Sequence, residues 1–295
     1  MSMFTPFRGV GVALVTPFTQ DAVDYEVLEK LVERQVRAGI DALIVLGTTG
    51  EPSTMTDLEK EQVARFVVAR AAGRVPVIAG VGANSTARAR EIAKMLASTG
   101  ADALLAVTPY YNKATQQGLI AHYGHLANAT ELPLILYNVP GRTGLNMLPE
   151  TVQALAGHAK IVGLKEASES IGQLAEDVRL CPGLRVYSGN DDMLLPALAV
   201  GASGIISVAA NIVPEQVKQV TDRFFAGDMA GARAASQRLS VLNRLLFSEV
   251  SPIPCKAALR LMGYGTGTLR LPLTDMQPSG VAALRAELEK LDLVR

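Results

Sequence analysis

Two cysteines, Cys181 and Cys255, are the only thiols among 295 residues. They lie far apart and fit no metal-binding or redox spacing, which points to free thiols in a reducing compartment rather than a disulfide. Charge bias is also missing. The chain has 28 basic and 28 acidic residues, a formal net charge of zero. There is no basic excess for nucleic acid and no polybasic run for anionic lipid, so partners are expected to be small molecules or further copies of the chain. Long hydrophobic runs are absent. The apolar segment Val10–Val15 has no cationic stretch before it and stops at Pro17, so neither a signal peptide nor a membrane span is expected and a cytoplasmic location is the default. The first apolar run leads into Thr16-Pro17-Phe18, which lacks the glycines of a dinucleotide loop and argues against an open, doubly wound sheet.

Length and composition permit one large domain, or one domain with an appendage, around a sizeable core. Hydrophobic residues make up 49% and charged residues 19%. Short apolar runs recur at Gly11–Val15, Ala42–Leu46, Val75–Ala79, Ala103–Val107, Leu134–Tyr137, Ile161–Leu164, Leu184–Tyr187 and Gly204–Val208. Each is continuous and bounded mostly by Gly, Pro, Asp or Ser, as buried parallel strands are. Between them run helical stripes such as Val27, Leu28, Leu31, Val32 and Val36, or Ile92, Met95 and Leu96. Leu148-Pro149-Glu150 opens another helix, with proline in its first turn. Eight regular units over about 220 residues predict an α/β fold, the (β/α)8 TIM barrel. The expected division is a catalytic barrel over 1–225 and a helical extension over 226–295. Ala232–Phe247, Pro254–Met262 and Val281–Leu291 are its candidate helices.

Active sites of such barrels lie at the C-terminal ends of strands, and here those ends are polar. Lys165 closes Ile161–Leu164, and Tyr137 closes the neighbouring run. An amine at the end of a buried strand is costly when charged and unpaired, and nucleophilic towards carbonyl carbon when neutral. Alone, Lys165 also reads as an amine reaching the rim or pairing with Glu166, and Tyr137 as a packing residue. Together they suit imine formation, which needs an amine and a proton shuttle. Gly47-Thr48-Thr49-Gly50 reads equally as a capped turn or as a carboxylate cradle of hydroxyls and N–H groups. Arg142, in a Pro-Gly-Arg-Thr-Gly loop, is either solvated or a clamp for a second carboxylate. Tyr110 and Tyr111 form a loop pair, read as a lid or as a relay tyrosine beside an interface tyrosine. His122, His125 and His158 fall at no strand end, so no metal is expected. Asp191-Asp192 reads as a capping pair for the following helix.

The segments Gly47-Thr48-Thr49-Gly50-Glu51, Thr108-Pro109-Tyr110-Tyr111, Tyr137–Gly144 and Gly163-Leu164-Lys165-Glu166 together resemble the dihydrodipicolinate synthase family, within the wider superfamily of pyruvate-dependent class I aldolases. The resemblance runs down to Leu269–Leu273. It implies a cofactor-independent Schiff-base lyase of lysine and diaminopimelate biosynthesis, with pyruvate and L-aspartate 4-semialdehyde as substrates. Lys165 would form the imine, and Thr49, with Thr48, would hold the pyruvate carboxylate. Tyr137, Thr48 and Tyr111 would relay protons, with Tyr111 coming from a neighbouring subunit. Arg142 would bind the aldehyde's carboxylate, and Gly189 and Ile206 would line the pyruvate pocket. A homotetramer, a dimer of dimers, is the implied assembly.

The chain departs from lysine-inhibited members of that family. Their pocket carries histidine where Lys60 stands and glutamate where Arg88 stands, while Asn84 and Tyr110 remain. Two added cations disfavour a cationic ligand, so weak or absent feedback by lysine is expected. The doubled threonine, Tyr111 and Arg142 favour the synthase over a sialic acid lyase or sugar-acid aldolase, and a non-enzymatic ligand sensor would have no need of Lys165, Tyr137 and Tyr111 together.

Overall fold

The computed structural model describes residues 5–20 and 22–294. Eight parallel strands close into one barrel. They are β1 (Gly9–Ala13), β2 (Ala42–Val45), β3 (Val77–Val81), β4 (Ala103–Val107), β5 (Leu134–Asn138), β6 (Ile161–Glu166), β7 (Arg185–Ser188) and β8 (Gly204–Ser207). Each strand pairs with its sequence neighbours, and β8 returns to β1. Both faces of every strand are covered, which is why these segments read as unbroken apolar runs. Alternate residues point inward or outward. The inner set includes Ile44, Ile78, Leu105, Ile135 and Ile206, and the outer set packs under the surrounding helices. Phe7 plugs the interior before β1: its ring stacks on Tyr187 at 4.3 Å, and its carbonyl accepts the Tyr187 hydroxyl at 2.7 Å.

The helices start where polar side chains satisfy free N–H groups. Asp24 caps Tyr25–Arg37, Ser85 caps Thr86–Ala97, Thr115 caps Gln116–Ala127 and Ser170 caps Ile171–Leu180. Thr56 and Glu59 form a reciprocal capping box at the head of Asp57–Ala71. The stripes Val27–Leu28–Leu31–Val32 and Ile92–Leu96 are buried against the barrel.

Only β4 keeps both bounds of the sequence reading; the other strands shift by one or two residues at one end or both. β1 begins at Gly9, and β3 runs on to Val81. Gly80, which looks like a strand boundary, is a close approach instead: a Cβ there would lie 2.1 Å from the Leu46 carbonyl oxygen. β6 extends through Glu166, so Lys165 belongs to the hydrogen-bonded ladder rather than to the loop after it.

The helix Pro214–Phe225 packs on β1, and three more follow it: Met229–Leu246, Ile253–Leu261 and Pro278–Lys290. Residues beyond 225 reach back to the barrel. Thr266 Oγ1 donates to the Phe18 carbonyl at 3.1 Å, and Lys256 and Arg270 contact the segment after β2. Among the described residues, no helix is long and apolar enough to cross a membrane.

Closure is tightest where β8 meets β1. Gly204 has φ +151°, and a Cβ there would stand 1.8 Å from the Gly9 carbonyl oxygen. Gly204→Ala is therefore expected to lose about 3–5 kcal/mol through backbone strain and displacement of the seam, read as a drop in the denaturant midpoint.

Candidate active site

Lys165 and Tyr137 are register partners on β6 and β5. Cα partners on adjacent parallel strands present their side chains to the same side, and both residues face the barrel interior. Lys165 is only 5% exposed. Its Nζ stands 4.5 Å from the centroid of the Tyr137 ring, close enough for a cation–π contact when charged. On the other flank, Lys165 is in register with Tyr187, whose hydroxyl burial holds firmly in the neutral form. Gly189 gives the lysine its room: a Cβ at 189 would fall 2.5 Å from Ala167 Cβ and 3.0 Å from Lys165 Cε. Ile206, fully buried on β8, belongs to the same inner cluster as Tyr137 and Ala167.

The Gly47–Gly50 segment forms a single 3₁₀ turn over Thr48–Gly50, entered from an extended Gly47. The leading N–H groups of such a turn have no partner within it, which suits an anion. Thr48 lines the cavity above, while Thr49 is buried behind it. The turn ends at Glu51, held in the left-handed conformation (φ 53°). Its carboxylate is buried and ion-paired to Lys256, which is itself buried. Burial pushes the Lys256 ammonium down, and the Glu51 charge opposes that push. Lys256 also donates to the Thr268 carbonyl at 2.9 Å, and the Arg270 N–H donates to Glu51 at 3.2 Å. Arg270 grips Glu59 through two bonds of 3.0 and 2.6 Å, and this holds the Glu59 carboxyl at about 2. Phe18 lies between the two cations, 4.1 Å from Lys256 and 4.2 Å from Arg270.

A cavity of about 530 Å³ opens over this end of the barrel. Its lining includes Thr48, Tyr137, Val139 and Arg142 together with Lys60, Asn84, Arg88 and Tyr110. Arg142 sits on the short helical turn Pro140–Thr143 and donates to the Ser251 carbonyl at 3.3 Å. Lys60 and Arg88 both lean on Asp57, Lys60 at 3.5 Å. Tyr111 is not brought into the cavity. It is 87% exposed, with φ +76°.

Asp191 departs from its reading as a helix cap. Its buried carboxylate crosses to the end of β8, accepting from the Ser207 hydroxyl and from the N–H groups of Val208 (2.9 Å) and Ala209 (3.3 Å). Burial raises this carboxyl, while the hydrogen bonds and the nearby Lys165 lower it. Lys256 is the other residue the sequence reading missed. A lone cation inside Pro254-Cys255-Lys256-Ala257-Ala258-Leu259 is the available signal, since so apolar a helix start cannot leave it in water. Chemically, the site offers a desolvated amine beside a phenol, an anion-binding turn, and a guanidinium at the cavity wall. That set suits covalent capture of a 2-oxo acid.

Comparison with known proteins gives the same picture. The profile described as the dihydrodipicolinate synthetase family matches residues 6–291. A protein of Thermoanaerobacter sp. (strain X514) named 4-hydroxy-tetrahydrodipicolinate synthase is 48% identical over 291 residues, covering 98% of each chain. The crystal structure of dihydrodipicolinate synthase from Thermotoga maritima superposes with a TM-score of 0.96 at 42% identity, covering 98% of this chain and 99% of that one. The enzyme from Cyanidioschyzon merolae, crystallised with lysine bound, superposes with a TM-score of 0.95 at 43% identity, again covering 98% and 99%.

Removing Lys256 leaves the Glu51 carboxylate buried without its counterion. Lys256→Ala is expected to cost about 3–5 kcal/mol in chemical denaturation, and Glu51→Gln combined with Lys256→Met to recover much of that loss. A single-variant cost of under about 1 kcal/mol, the range of a surface pair, would contradict this role.

Proposed function

The chain belongs to the dihydrodipicolinate synthetase family, and from that premise we propose that it works as a 4-hydroxy-tetrahydrodipicolinate synthase, a lyase condensing pyruvate with L-aspartate 4-semialdehyde. The observation that carries this reading is the buried Lys165, in register with Tyr137, whose ring walls a cavity shared with Thr48. The Lys165 amine, once free of its extra proton, attacks the pyruvate ketone. The carbinolamine loses water to give an imine, with Tyr137 passing protons. Thr48 and Thr49 receive the pyruvate carboxylate, while Gly189 and Ile206 bound the methyl end. Loss of a methyl proton gives the enamine, whose carbon adds to the aldehyde held through its carboxylate by Arg142. The aldehyde substrate's own amine then displaces Lys165 and closes the ring, freeing the enzyme.

Tyr111 completes the relay from a second copy of the chain. Its exposure and its left-handed backbone support that reading, because a bulky residue holds such a conformation only where its surroundings fix it. The assembly is a homotetramer built from such dimers. Residues 1–225 carry the chemistry and 226–295 brace it. The pocket part around Lys60, Asn84, Arg88 and Tyr110 does not answer to lysine, since a cationic ligand there meets two cations that already share Asp57.

Borohydride reduction in the presence of pyruvate is expected to add one pyruvate-derived mass at Lys165, and Lys165→Ala to abolish both the adduct and turnover. Turnover should require aspartate semialdehyde and fail with sialic acid. No adduct on the native protein would end this reading. In steady-state assays lysine is expected to leave the rate unchanged, and half-inhibition at sub-millimolar lysine would refute the insensitivity.

A further inference from the structure

Behind Lys165, on the outer side of β6, lies a buried acid cluster that the reaction does not use. Glu166 accepts from Asn138 Nδ2 (3.0 and 3.3 Å), from the Ser168 N–H (2.6 Å) and from Gln173 Nε2 (3.2 Å). Asn138 Oδ1 in turn accepts the Met147 N–H at 2.9 Å. Asn146 Oδ1 accepts from both Asn138 (2.7 Å) and Gln173 (3.2 Å). Asp177, on the helix Ile171–Leu180, points into this network and is 0% exposed. Neither of its carboxyl oxygens has a donor among the described residues. Gln173, one turn earlier on the same helix face, donates to Glu166, so Asp177 faces the same carboxyl, whose charge acts on it. Two buried carboxylates in contact cannot both be ionised, and an unpaired one has no compensation.

We propose that Asp177 and Glu166 share a single proton, and that the resulting acid–carboxylate bond is a positioning device. It anchors the helix Ile171–Leu180 to Glu166 at the rim of β6, where Glu166 also holds Asn138 of β5, and thereby fixes Tyr137 and Lys165 on the opposite face. The proton-sharing rests on the packing alone, and its bearing on catalysis rests on the function proposed above.

The surroundings fit this assignment. Burial is the largest influence on Asp177, followed by the charges of Glu166 on β6, Glu176 on its own helix and Glu150 on the helix Pro149–Ala156, which together push it up to about 8. Glu176 is engaged by Arg179. Cys181, at the end of the same helix, is pushed up to about 11, first by its own burial and then by Asp177, so it adds no charge near neutrality. The helix Leu194–Ala199 on the far side has no titratable side chain, and Arg185 lies exposed at the start of β7.

The sign of the linkage follows. The folded chain keeps a proton that an unfolded aspartate, ordinarily at about 3.9, has released. The pair's contribution to stability is therefore fully present below about pH 4. It falls as the pH rises towards 8 and levels off above that, by up to about tenfold in the folding constant per pH unit.

Infrared difference spectra of protein labelled with ¹³C-carboxyl aspartate and glutamate test the pair directly. An un-ionised carboxylic acid band is expected at pH 7, titrating near 8 and missing from Asp177→Asn, whose amide keeps a donor to Glu166. In denaturant titrations the native protein should lose stability between about pH 5 and 8 relative to the variant, which should be the more stable at pH 8. Native amides of Ser168 and Met147 should lose protection from hydrogen exchange, relative to the variant, once the pair has titrated.

No acid band at pH 7, a band that survives in the variant, or parallel stability curves would overturn the shared proton. Equal amide protection would overturn the positioning role. If the variant does not fold, the infrared titration of the native protein still decides. If the native protein traps no pyruvate, the functional reading falls while the infrared and unfolding results still judge the pair.

Discussion

The barrel depends on a seam with no space in it. Where β8 returns to β1, Gly204 and Gly9 pass backbone against backbone, both in conformations that a side chain would strain. Closing there fixes the stagger of all eight strands, and the stagger decides which residues face inward together. Tyr137 and Lys165 meet because, beyond a register shift between Leu134 and Ile135, β5 and β6 pair Ile135 with Gly163 and so Tyr137 with Lys165. Lys165 has somewhere to extend because Gly189 leaves a gap beside its stem. The chemistry at the top of the barrel thus begins with what the seam excludes.

Much of this was readable in advance, for physical reasons. Strands buried on both faces write themselves as short apolar runs, and all eight were visible as such. Their limits were less visible, because glycine serves two purposes. Gly80 marks close contact inside β3, while glycines elsewhere mark turns. Polar residues at strand ends pointed to Lys165, Tyr137, Thr48 and Arg142, and the fold puts Thr48, Tyr137 and Arg142 around one cavity with Lys165 beside it. Buried charge was harder to read. Glu176 and Asp177 are adjacent acids on one helix, yet the first is solvated and the second sealed. Nothing local separates them. Asp191 likewise looked like a cap for its own helix, because the first of its donors, the Ser207 hydroxyl, lies on a strand 16 residues onward.

Three buried carboxylates share a structural task. Glu51 follows β2, Glu166 ends β6 and Asp191 follows β7. At a barrel rim the ladder stops, and the last N–H groups need new acceptors. Glu166 takes the Ser168 N–H, Asp191 takes those of Val208 and Ala209, and Glu51 takes that of Arg270. Each is balanced differently: Glu51 by an ammonium, Asp191 by a hydroxyl and N–H groups, Glu166 by amides and a neighbouring acid. Loops around a reactive centre are held rigid in this way without placing a further mobile charge inside it.

The pairing of Glu51 with Lys256 has a consequence in time as well as space. The anion-binding turn is translated early, but the cation that lets its glutamate be buried comes near the end of the chain, and Arg270 later still, 219 positions after Glu51. Until those residues leave the ribosome, the turn has to keep its carboxylate in water. A nascent barrel can therefore assemble its strands while the turn Thr48–Gly50 remains unset, and a chain cut short before Lys256 would leave Glu51 without its buried counterion.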